Sequence, residues 1–420
     1  MNKSDSERIA GLLESYGYVL SERDKADLVV ITTCGVRQSA EDRVYGLIPR
    51  IKRVNPGAKI ILTGCLSRRE DVRRRLKKYV DIWMPITELD ALARELKVKA
   101  RAAKEPRGIS GGYLKINPKR NSKFSAFVPI GNGCDNFCAY CVVPYARGRE
   151  VYRDADEILK EVEELAGKGY REITLIAQNV NSYRSENKNQ KSETISFPDL
   201  LRRVNDIPGD FWIRFATSHP KDMSDDLIGA IAECEKVCEH IHLPVQAGDN
   251  EILRRMNRKY TAEHYISLIK KIRESVPRAS VTTDTIVGFP GETREQFNNT
   301  AKLYEAVKFD MAYIAQYSPR FGTAAARLDD DVPREEKKRR EEELMKILRK
   351  TALENNKKYL GKTVDVLIEG RNKKGEWYGK TRTFKNVECR MPNAERGAGD
   401  FIKVKIKKVN DFGMSGVIDS

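Results

Sequence analysis

Ala126-Phe-Val-Pro-Ile130 runs directly into Gly131-Asn-Gly-Cys-Asp-Asn-Phe-Cys-Ala-Tyr-Cys141. The first five residues are typical of a buried strand, and the glycine-containing stretch after them places three cysteines, Cys134, Cys138 and Cys141, at CxxxCxxC spacing. Three thiolates so close in sequence can wrap around one centre. A structural zinc site uses four protein ligands and no fourth Cys or His lies nearby, whereas a [4Fe–4S] cluster on three cysteines keeps one iron open. We therefore predict an iron–sulfur site rather than zinc or three free thiols.

A strand-and-helix rhythm extends outward from this segment and repeats six times from about Phe124. Six parallel strands with crossover helices predict an α/β fold, a partial (β/α)6 barrel rather than a flat sheet. Glycines and polar residues follow each strand, and they gather at the mouth where barrels place active sites. The predicted strands are 126–130, 172–177, 212–216, 240–243, 280–287 and 311–316, and the helices between them include 154–166, 262–275 and 295–307.

The N-terminal residues predict a small α/β domain of their own. Asp27–Thr33 and Ala58–Thr63 are typical of buried strands, and the helical pattern of Ser39–Val54 between them implies parallel pairing. Each strand ends at a cysteine, Cys34 or Cys65. Because ligands bind at the carboxyl ends of parallel strands, these two thiols are candidate ligands at one sheet edge, with two small buried residues as the alternative.

The C-terminal pattern is different. Pro333 opens a long charged helix that reaches about Lys358, and five short alternating strands after Gly361 predict a small all-β barrel. Such a barrel, rich in Lys and Arg, suits RNA binding, with a scaffold role as the alternative. The predicted strands are 363–368, 376–383, 386–389, 401–409 and 414–418, and the candidate phosphate contacts are Lys373, Lys374, Lys380, Arg382, Lys405 and Lys407.

The length and composition of the chain limit its domain number, its partners and its location. Its 420 residues predict about three domains. The formal net charge of +16 suits a polyanionic partner, and the alternative is that the charged residues form an ordinary solvated surface. No apolar run could span a bilayer and the N-terminus is no signal peptide, so we expect a cytoplasmic protein whose eight cysteines form no disulfides. The predicted divisions are an N-terminal domain at 1–100, a basic linker at 101–123, the barrel at 124–350 and the small β-barrel at 357–420.

Several further residues are weaker candidates. Cys234 and Cys238 are four apart on a predicted helix, where packing is favoured over a metal site. Cys389 is expected in a strand without chemistry. His219 and His242 are expected at strand ends facing the mouth, as ligand contacts or as structural hydrogen-bonding groups.

The three-cysteine loop, with Phe137 and Tyr140 between the cysteines and on a six-stranded βα repeat, resembles the radical S-adenosylmethionine (SAM) enzymes. Gly288-Phe-Pro-Gly291-Glu292 resembles the glycine-rich segment with which that family approaches the SAM adenine. The resemblance implies that SAM chelates the open iron and that one electron then yields a 5′-deoxyadenosyl radical. It also implies a catalytic, metal-binding role for Cys134, Cys138 and Cys141, and cofactor binding by Gln178, Gln246, Gly288, Gly291 and Glu292.

Nearly the whole chain resembles one branch of those enzymes, the methylthiotransferases. The motifs that carry this resemblance are Asp5-Ser6-Glu7, Cys34, Cys65, Cys134–Arg149, Gln178–Tyr183, Thr217–Pro220, His242–Gly248 and Tyr317–Arg320. The family implies a C-terminal RNA-binding TRAM domain and a second, auxiliary [4Fe–4S] cluster, with Cys34 and Cys65 as two of its three ligands. The family's first auxiliary cysteine would lie upstream of Met1, so we expect the reading frame to continue there.

Val142–Arg149 and Gln178–Tyr183 resemble the MiaB branch most, which adds a methylthio group to C2 of N6-isopentenyladenosine at position 37 of tRNA. This implies a tRNA anticodon stem-loop, an electron donor such as flavodoxin or ferredoxin and a sulfur donor as partners of a monomeric protein. Two alternatives remain. One is a sister branch that thiomethylates a ribosomal-protein aspartate or threonylcarbamoyladenosine tRNA. The other is a truncated, inactive RNA-binding iron–sulfur protein whose catalytic function is lost with its first strand.

Overall fold

The computed structural model describes residues 1–35, 38–97, 112–186, 194–390 and 396–418. These residues form two compact units. The first unit collects Met1–Asn121, Gly131–Arg153 and Ser318–Arg327, and the second collects Ser122–Ile130, Asp154–Tyr317 and Leu328–Ser420. About half of the predicted linker, 101–111, lies outside the described residues.

The elements alternate through most of the chain. The helices are α1 (Asn2–Ser15), α2 (Gln38–Val54), α3 (Glu70–Leu76), α4 (Leu92–Glu95), α5 (Val143–Arg147), α6 (Ala155–Gly167), α7 (Phe197–Asp206), α8 (Asp225–Glu233), α9 (Asn250–Arg255), α10 (Ala262–Ser275), α11 (Arg294–Val307) and α12 (Arg334–Lys357). The strands are β1 (Leu28–Thr33), β2 (Lys59–Gly64), β3 (Ile82–Met84), β4 (Ser125–Pro129), β5 (Gly131–Asn132), β6 (Val151–Tyr152), β7 (Glu172–Ile176), β8 (Arg184–Glu186), β9 (Thr194–Ser196), β10 (Trp212–Ala216), β11 (His240–His242), β12 (Ser280–Val287), β13 (Met311–Gln316), β14 (Thr363–Arg371), β15 (Trp377–Thr381), β16 (Asn386–Arg390), β17 (Phe401–Val409) and β18 (Met414–Ile418).

A parallel sheet in the order β1-β2-β3 forms the core of the first unit. The strand β2 is buried on both faces, because Ile61 packs with residues of α1 while Ile60 packs with residues of α2. The predicted parallel pairing is confirmed, and its register makes Thr33 the partner of Gly64. The chain therefore leaves two neighbouring strands at one edge, directly before Cys34 and Cys65.

The second unit contains a partial barrel of six parallel strands, as predicted. Three strands pair in the order β10-β7-β4 and three in the order β11-β12-β13, and an isolated parallel bridge between Ile213 and Val237 joins the two sets. The helices begin at side-chain caps: Asp154 accepts from the first turn of α6, and Thr293 with Gln296 forms a capping box on α11.

The prediction that Cys234 and Cys238 share a helix is wrong. The helix α8 ends at Glu233, Cys234 follows it, and the backbone N–H of Cys238 donates to the carbonyl of Ile213 at 2.9 Å. The chain turns here because Val237 must lie beside the barrel strand β10. Both thiols are buried, and burial raises the pKa of Cys238 to about 11.

The C-terminal strands close into a barrel in the order β14-β15-β16-β18-β17, which confirms the predicted small all-β barrel. Its interior is filled by alternate residues, among them Val366, Val387, Val404 and Cys389. Cys389 lies in β16 and is buried, as expected of a strand residue. The predicted charged helix is α12, which leads into this barrel.

The turn between β15 and β16 packs against the lower, N-terminal ends of the (β/α)6 strands. Arg214 in β10 donates to Glu172 at 2.5 Å and to the carbonyls of Thr381 and Arg382 at 2.9 Å each. The ring of Phe384 stacks on His240 with 4.6 Å between centroids. The small β-barrel therefore supplies part of the floor of the larger one.

No helix among the described residues is long and apolar enough to cross a membrane.

Candidate active site

The three-cysteine loop is built on a short hairpin of the first unit. Strand β5 pairs with β6, and the backbone N–H of Cys134 donates to the carbonyl of Gly148 at 3.2 Å. Gly133 has a φ of 84°, and a Cβ there would overlap the carbonyl of Arg149, so only glycine allows this close approach. The loop is thus folded back on the segment that follows it.

The thiols of this loop share one environment. Burial raises the pKa of Cys134 to about 11, and burial together with the neighbouring Cys138, Cys134 and Cys65 raises the pKa of Cys141. Among the described residues, no group of three His, Cys, Asp or Glu side chains converges as the ligand set of one ion. In a [4Fe–4S] cluster each cysteine binds a different iron, so the thiols need not converge. The three thiolates of this loop are the donor set that such a cluster takes when one of its irons is left open.

The two N-terminal cysteines lie close to that loop, within the same unit. A Cβ on Gly35 would sit 3.1 Å from Cβ of Cys65 and 3.1 Å from Cγ1 of Val142, the residue after Cys141. Cys65 also contributes to the raised pKa of Cys141. The strand ends that carry Cys34 and Cys65 are thus packed directly against the three-cysteine segment, without room for larger side chains.

A buried polar network under these cysteines was missed by the sequence analysis. Arg147 in α5 donates to Asp5 in α1 and, at 3.1 Å, to Asn132, which also accepts from Tyr113 at 2.8 Å. Burial alone would lower the pKa of Arg147. The nearby Asp5, Tyr113 and Cys65 have the larger combined effect, so the pKa is raised. Asp5 lies in the motif Asp5-Ser6-Glu7, and Arg147 lies in the motif Cys134–Arg149. Neither motif indicates that these two side chains are in contact.

The mouth of the partial barrel, in the second unit, carries buried polar atoms without partners. Among the described residues, both amide atoms of the Gln178 side chain and the hydroxyl of Ser218 are buried and make no hydrogen bond. Gln178 is the second residue after the end of β7, and Ser218 is the second residue after the end of β10. Buried polar groups are normally satisfied, so unsatisfied ones at a barrel mouth fit a polar ligand such as SAM.

Two residues at this mouth have left-handed backbone conformations. Thr217 has a φ of 77° and Gln246 a φ of 67°, although neither is glycine. A β-branched residue is strained there, and such strain concentrates at functional sites. The backbone N–H of Gln246 donates to the carbonyl of Asp284, and its carbonyl accepts from the backbone N–H of Ile286, each at 2.9 Å. These hydrogen bonds to β12 fix the direction of the Gln246 side chain. The predicted SAM contacts Gln178 and Gln246 stay predictions.

The glycine-rich segment after β12 is held by its own glutamate. The carboxylate of Glu292 accepts from the backbone N–H of Gly288 at 2.6 Å and from Arg340 of α12 at 2.8 Å. Burial raises the pKa of Glu292 against these two donors. Gly288 and Gly291 have φ values of 67° and 72°, and Gly288 rests on the side chain of Lys337. Glu292 shapes this loop, and direct contact of the three residues with SAM stays a prediction.

The two histidines predicted at the mouth differ in their surroundings and hydrogen-bond partners. Nδ1 of His219 accepts from the backbone N–H of Lys221 at 3.2 Å, and burial, with Arg258 and Lys221 nearby, lowers its pKa to about 2. His219 is therefore a structural hydrogen-bonding group. His242 lies on the barrel wall, where Nδ1 contacts Thr282 Oγ1 at 2.9 Å and Nε2 lies 3.4 Å from Asp284.

The partial (β/α)6 barrel and the three-cysteine loop define the class of this protein, a radical SAM enzyme. Residues 128–304 match the Radical SAM superfamily, residues 1–85 match Uncharacterized protein family UPF0004 and residues 357–416 match the TRAM domain. The chain belongs to the radical SAM methylthiotransferase family. It is therefore an enzyme that uses SAM and, as that superfamily implies, a [4Fe–4S] cluster.

Two relatives illustrate the extent of the similarity. The tRNA-2-methylthio-N(6)-dimethylallyladenosine synthase of Syntrophomonas wolfei is 46% identical over 427 residues, which cover 100% of this chain and 95% of the relative. The protein of the same name from Clostridium novyi is 42% identical over 431 residues, which cover 100% of this chain and 94% of the relative.

Among solved structures, the radical S-adenosylmethionine methyltransferase TsrM from Kitasatospora setae, with cobalamin and a [4Fe-4S] cluster bound, gives a TM-score of 0.51. The match is 14% identical and covers 76% of this chain and 68% of TsrM. This likeness shows the fold alone.

Proposed function

We propose that the protein adds a methylthio group to C2 of N6-isopentenyladenosine at position 37 of tRNA. The structural observation that carries the proposal is that Gly35, beside Cys34, packs against both Cys65 and Val142, the residue after Cys141, within one unit. A methylthiotransferase needs a carbon-activating centre and a sulfur-carrying centre that act on the same atom, and two neighbouring cysteine groups meet that need. The full-length similarity to relatives named for this reaction supports the substrate.

Cys134, Cys138 and Cys141 hold one [4Fe–4S] cluster in this proposal, and Cys34 and Cys65 supply two ligands of an auxiliary [4Fe–4S] cluster. Bound with SAM, the first cluster supplies the hydrogen-abstracting chemistry that an inert aromatic C–H requires, since no side-chain acid or base could activate it. The protein's own side chains bind SAM and orient it. Gln178, Ser218 and Gln246 offer polar atoms at the mouth, and Glu292 with Arg340 fixes the glycine-rich loop.

The partners follow from the same chemistry. The reaction consumes electrons and sulfur, so we assign an electron donor such as flavodoxin or ferredoxin and a separate sulfur donor. The anticodon stem-loop presents the base, and the net charge of +16 favours its phosphates. We further propose a cytoplasmic location, where tRNA is modified, and a monomeric enzyme.

Separate reactions with three substrates test the proposal. Reconstituted protein receives SAM, sulfide and reductant with prenylated tRNA, unprenylated tRNA or ribosomes, and digested products are analysed by mass spectrometry. We expect 2-methylthio product on prenylated tRNA, with at least a roughly tenfold preference over unprenylated tRNA, because a pocket for the prenyl group contributes about 1–3 kcal/mol. Product on a ribosomal protein, or equal product on both tRNAs, would overturn the assignment.

A further inference from the structure

A short segment of the first unit contacts both cysteine groups. It consists of residues 318–327, which we call the bridging segment, and the same unit contains all five cysteines of the two proposed clusters. The motif Tyr317–Arg320 leads into it, and the proposed reaction leaves that motif without a role. Thr323 holds the segment in a tight turn, because its hydroxyl donates to the carbonyl of Arg320 at 2.8 Å and accepts from the backbone N–H of Ala326 at 3.3 Å.

One end of the bridging segment contacts the beginning of α2, close to Cys34. Nη1 of Arg320 donates to Oε1 of Gln38 at 2.6 Å, and the hydroxyl of Ser318 donates to the same oxygen at 3.2 Å. Gln38 is the first residue of α2 and lies four residues after Cys34. Its other amide atom, Nε2, donates to Asp42 at 2.9 Å, which fixes the direction of the side chain. Arg320 is thus tied to the chain segment that carries Cys34.

The guanidinium of Arg320 also belongs to a buried ion network. Nη1 lies 3.4 Å from Oε2 of Glu41, and Arg69, four residues after Cys65, donates to both oxygens of that carboxylate at 2.6 Å and 2.9 Å. The side chains of Arg320, Glu41 and Arg69 are 7%, 5% and 9% exposed. The segments that follow Cys34 and Cys65 therefore meet the bridging segment at one carboxylate, and removal of Arg320 would leave Glu41 paired with Arg69.

The other end of the bridging segment contacts the three-cysteine loop. The backbone N–H of Ala325 donates to the carbonyl of Ala139 at 2.8 Å, and Ala139 lies between Cys138 and Cys141. Ala325 is completely buried, so water does not compete for this hydrogen bond. Since only five positions separate Arg320 from Ala325, one tight turn connects the Cys34 edge to the three-cysteine loop.

Transfer of a methylthio group requires the sulfur and the radical-forming centre to act on one carbon atom, so the separation of the two cysteine groups has to be fixed. A misplacement of about 1 Å can cost about 100-fold in rate. We propose that Arg320 is a positioning residue that holds the Cys34 edge against the three-cysteine loop through Gln38 and the bridging segment. The inference rests on the proposed function, which makes both groups act on one substrate. SAM cleavage needs the three-cysteine cluster alone and does not depend on Arg320.

Substitutions of Arg320 with a matched control test the proposal in the full chain. R320M removes the guanidinium, R320K keeps the positive charge, and the control R327M changes an exposed arginine of the same segment. The reconstituted proteins receive SAM, sulfide, reductant and prenylated tRNA, and 5′-deoxyadenosine and the 2-methylthio nucleoside are measured in the same reactions. Melting temperature reports on folding. Hydrogen-exchange mass spectrometry, before and after reconstitution, follows the peptide that contains Ala325.

We expect R320M to form 5′-deoxyadenosine at the wild-type rate but to yield at least about tenfold less methylthio nucleoside per 5′-deoxyadenosine, because the two centres are misplaced. R320K should lie between R320M and wild type, and R327M should match wild type. The combination Q38L/R320M should be no worse than R320M alone, since both changes break one contact. The Ala325 peptide should exchange faster in R320M only. Equal losses of both products, a wild-type product ratio or unchanged exchange in R320M would each overturn the proposal.

The outcome is separable from that of the proposed function. If the wild-type protein thiomethylates a ribosomal protein instead of tRNA, and R320M lowers that product relative to 5′-deoxyadenosine, the substrate assignment fails and the role of Arg320 stands. If product forms on prenylated tRNA at the same ratio in wild type and R320M, the role of Arg320 is wrong and the substrate assignment stands.

Discussion

Arg147 lies six residues after Cys141, yet its main partner, Asp5, is 142 residues away in sequence. Both side chains are almost fully buried, at 2% and 1% exposure. Because an uncompensated charge in such a site is costly, the pair ties α1 to α5, the helix that follows the three-cysteine loop. Nothing in the periodicity of either segment predicts this contact, which depends on side-chain placement in three dimensions.

Arg147→Met should lower the free energy of unfolding by about 3–5 kcal/mol, because it leaves the Asp5 carboxylate buried and unpaired. Asp5→Asn combined with Arg147→Met should cost less than the sum of the two single changes, since neither charge then remains. Urea denaturation measures all three. Lys119→Met, at the exposed pair with Glu14, is the control and should cost less than about 1 kcal/mol. Additive effects of the two changes would contradict the pairing.

His219 makes stability depend on pH. Its pKa is lowered from 6.5 to about 2 by burial and by Arg258 and Lys221, so the folded protein holds the ring neutral while the unfolded chain protonates below about pH 6.5. The stability contributed by the neutral ring is present above pH 6.5 and is lost as the pH falls. Between pH 7 and pH 5 this loss amounts to roughly 2 kcal/mol.

His219→Asn should remove that part of the pH dependence. Asparagine keeps an acceptor for the backbone N–H of Lys221 but does not titrate. Urea denaturation of both proteins at pH 7 and pH 5 measures the difference, and the wild-type protein should lose roughly 2 kcal/mol more than the variant. Equal losses would show that the ring is not held neutral.

At the scale of elements, strands and helices were predictable where burial is periodic. The bounds of β10, β12, β13, β17 and β18 agree with the prediction, and in β10, β12 and β17 the burial is clearly continuous or alternating. The floor under the barrel was not predictable. It depends on contacts of the β15–β16 turn, where Thr381 and Phe384 lie, with barrel strands such as that of Arg214, which is 167 residues before Thr381 in sequence. Arg340 on α12, which positions Glu292, was missed for the same reason.

Arg214→Met should loosen the joint between the two barrels of the second unit. The change leaves Glu172 without its guanidinium and two carbonyls of the β15–β16 turn without donors, which costs about 3–5 kcal/mol. We expect the melting temperature to fall by at least about 6 °C. Arg202→Met, at an exposed cluster with Asp226 and Glu233, serves as the control. If the melting temperature were instead like that of the control, the contacts of Arg214 with the turn would not stabilise the protein.

At the scale of the whole molecule, the cysteines were the strongest sequence signal and remain the centre of the account. Their spacing predicts one three-cysteine site and one two-cysteine edge, and in the structure both lie in the first unit. What spacing could not predict is that Gly35, beside Cys34, packs on Cys65 and Val142. That contact arises because parallel strands β1 and β2 end together, a matter of register and not of motif.

In the proposed reaction the two cysteine groups have separate roles, radical formation at Cys134, Cys138 and Cys141 and sulfur insertion at Cys34 and Cys65. The most direct test measures 5′-deoxyadenosine and the 2-methylthio nucleoside in the same reactions with reconstituted protein and prenylated tRNA. Cys34→Ala/Cys65→Ala should still form 5′-deoxyadenosine but no methylthio nucleoside, and Cys134→Ala/Cys138→Ala/Cys141→Ala should form neither. The control Cys234→Ala/Cys238→Ala/Cys389→Ala should retain both products. Methylthio nucleoside at the wild-type level from the Cys34→Ala/Cys65→Ala protein would contradict the account.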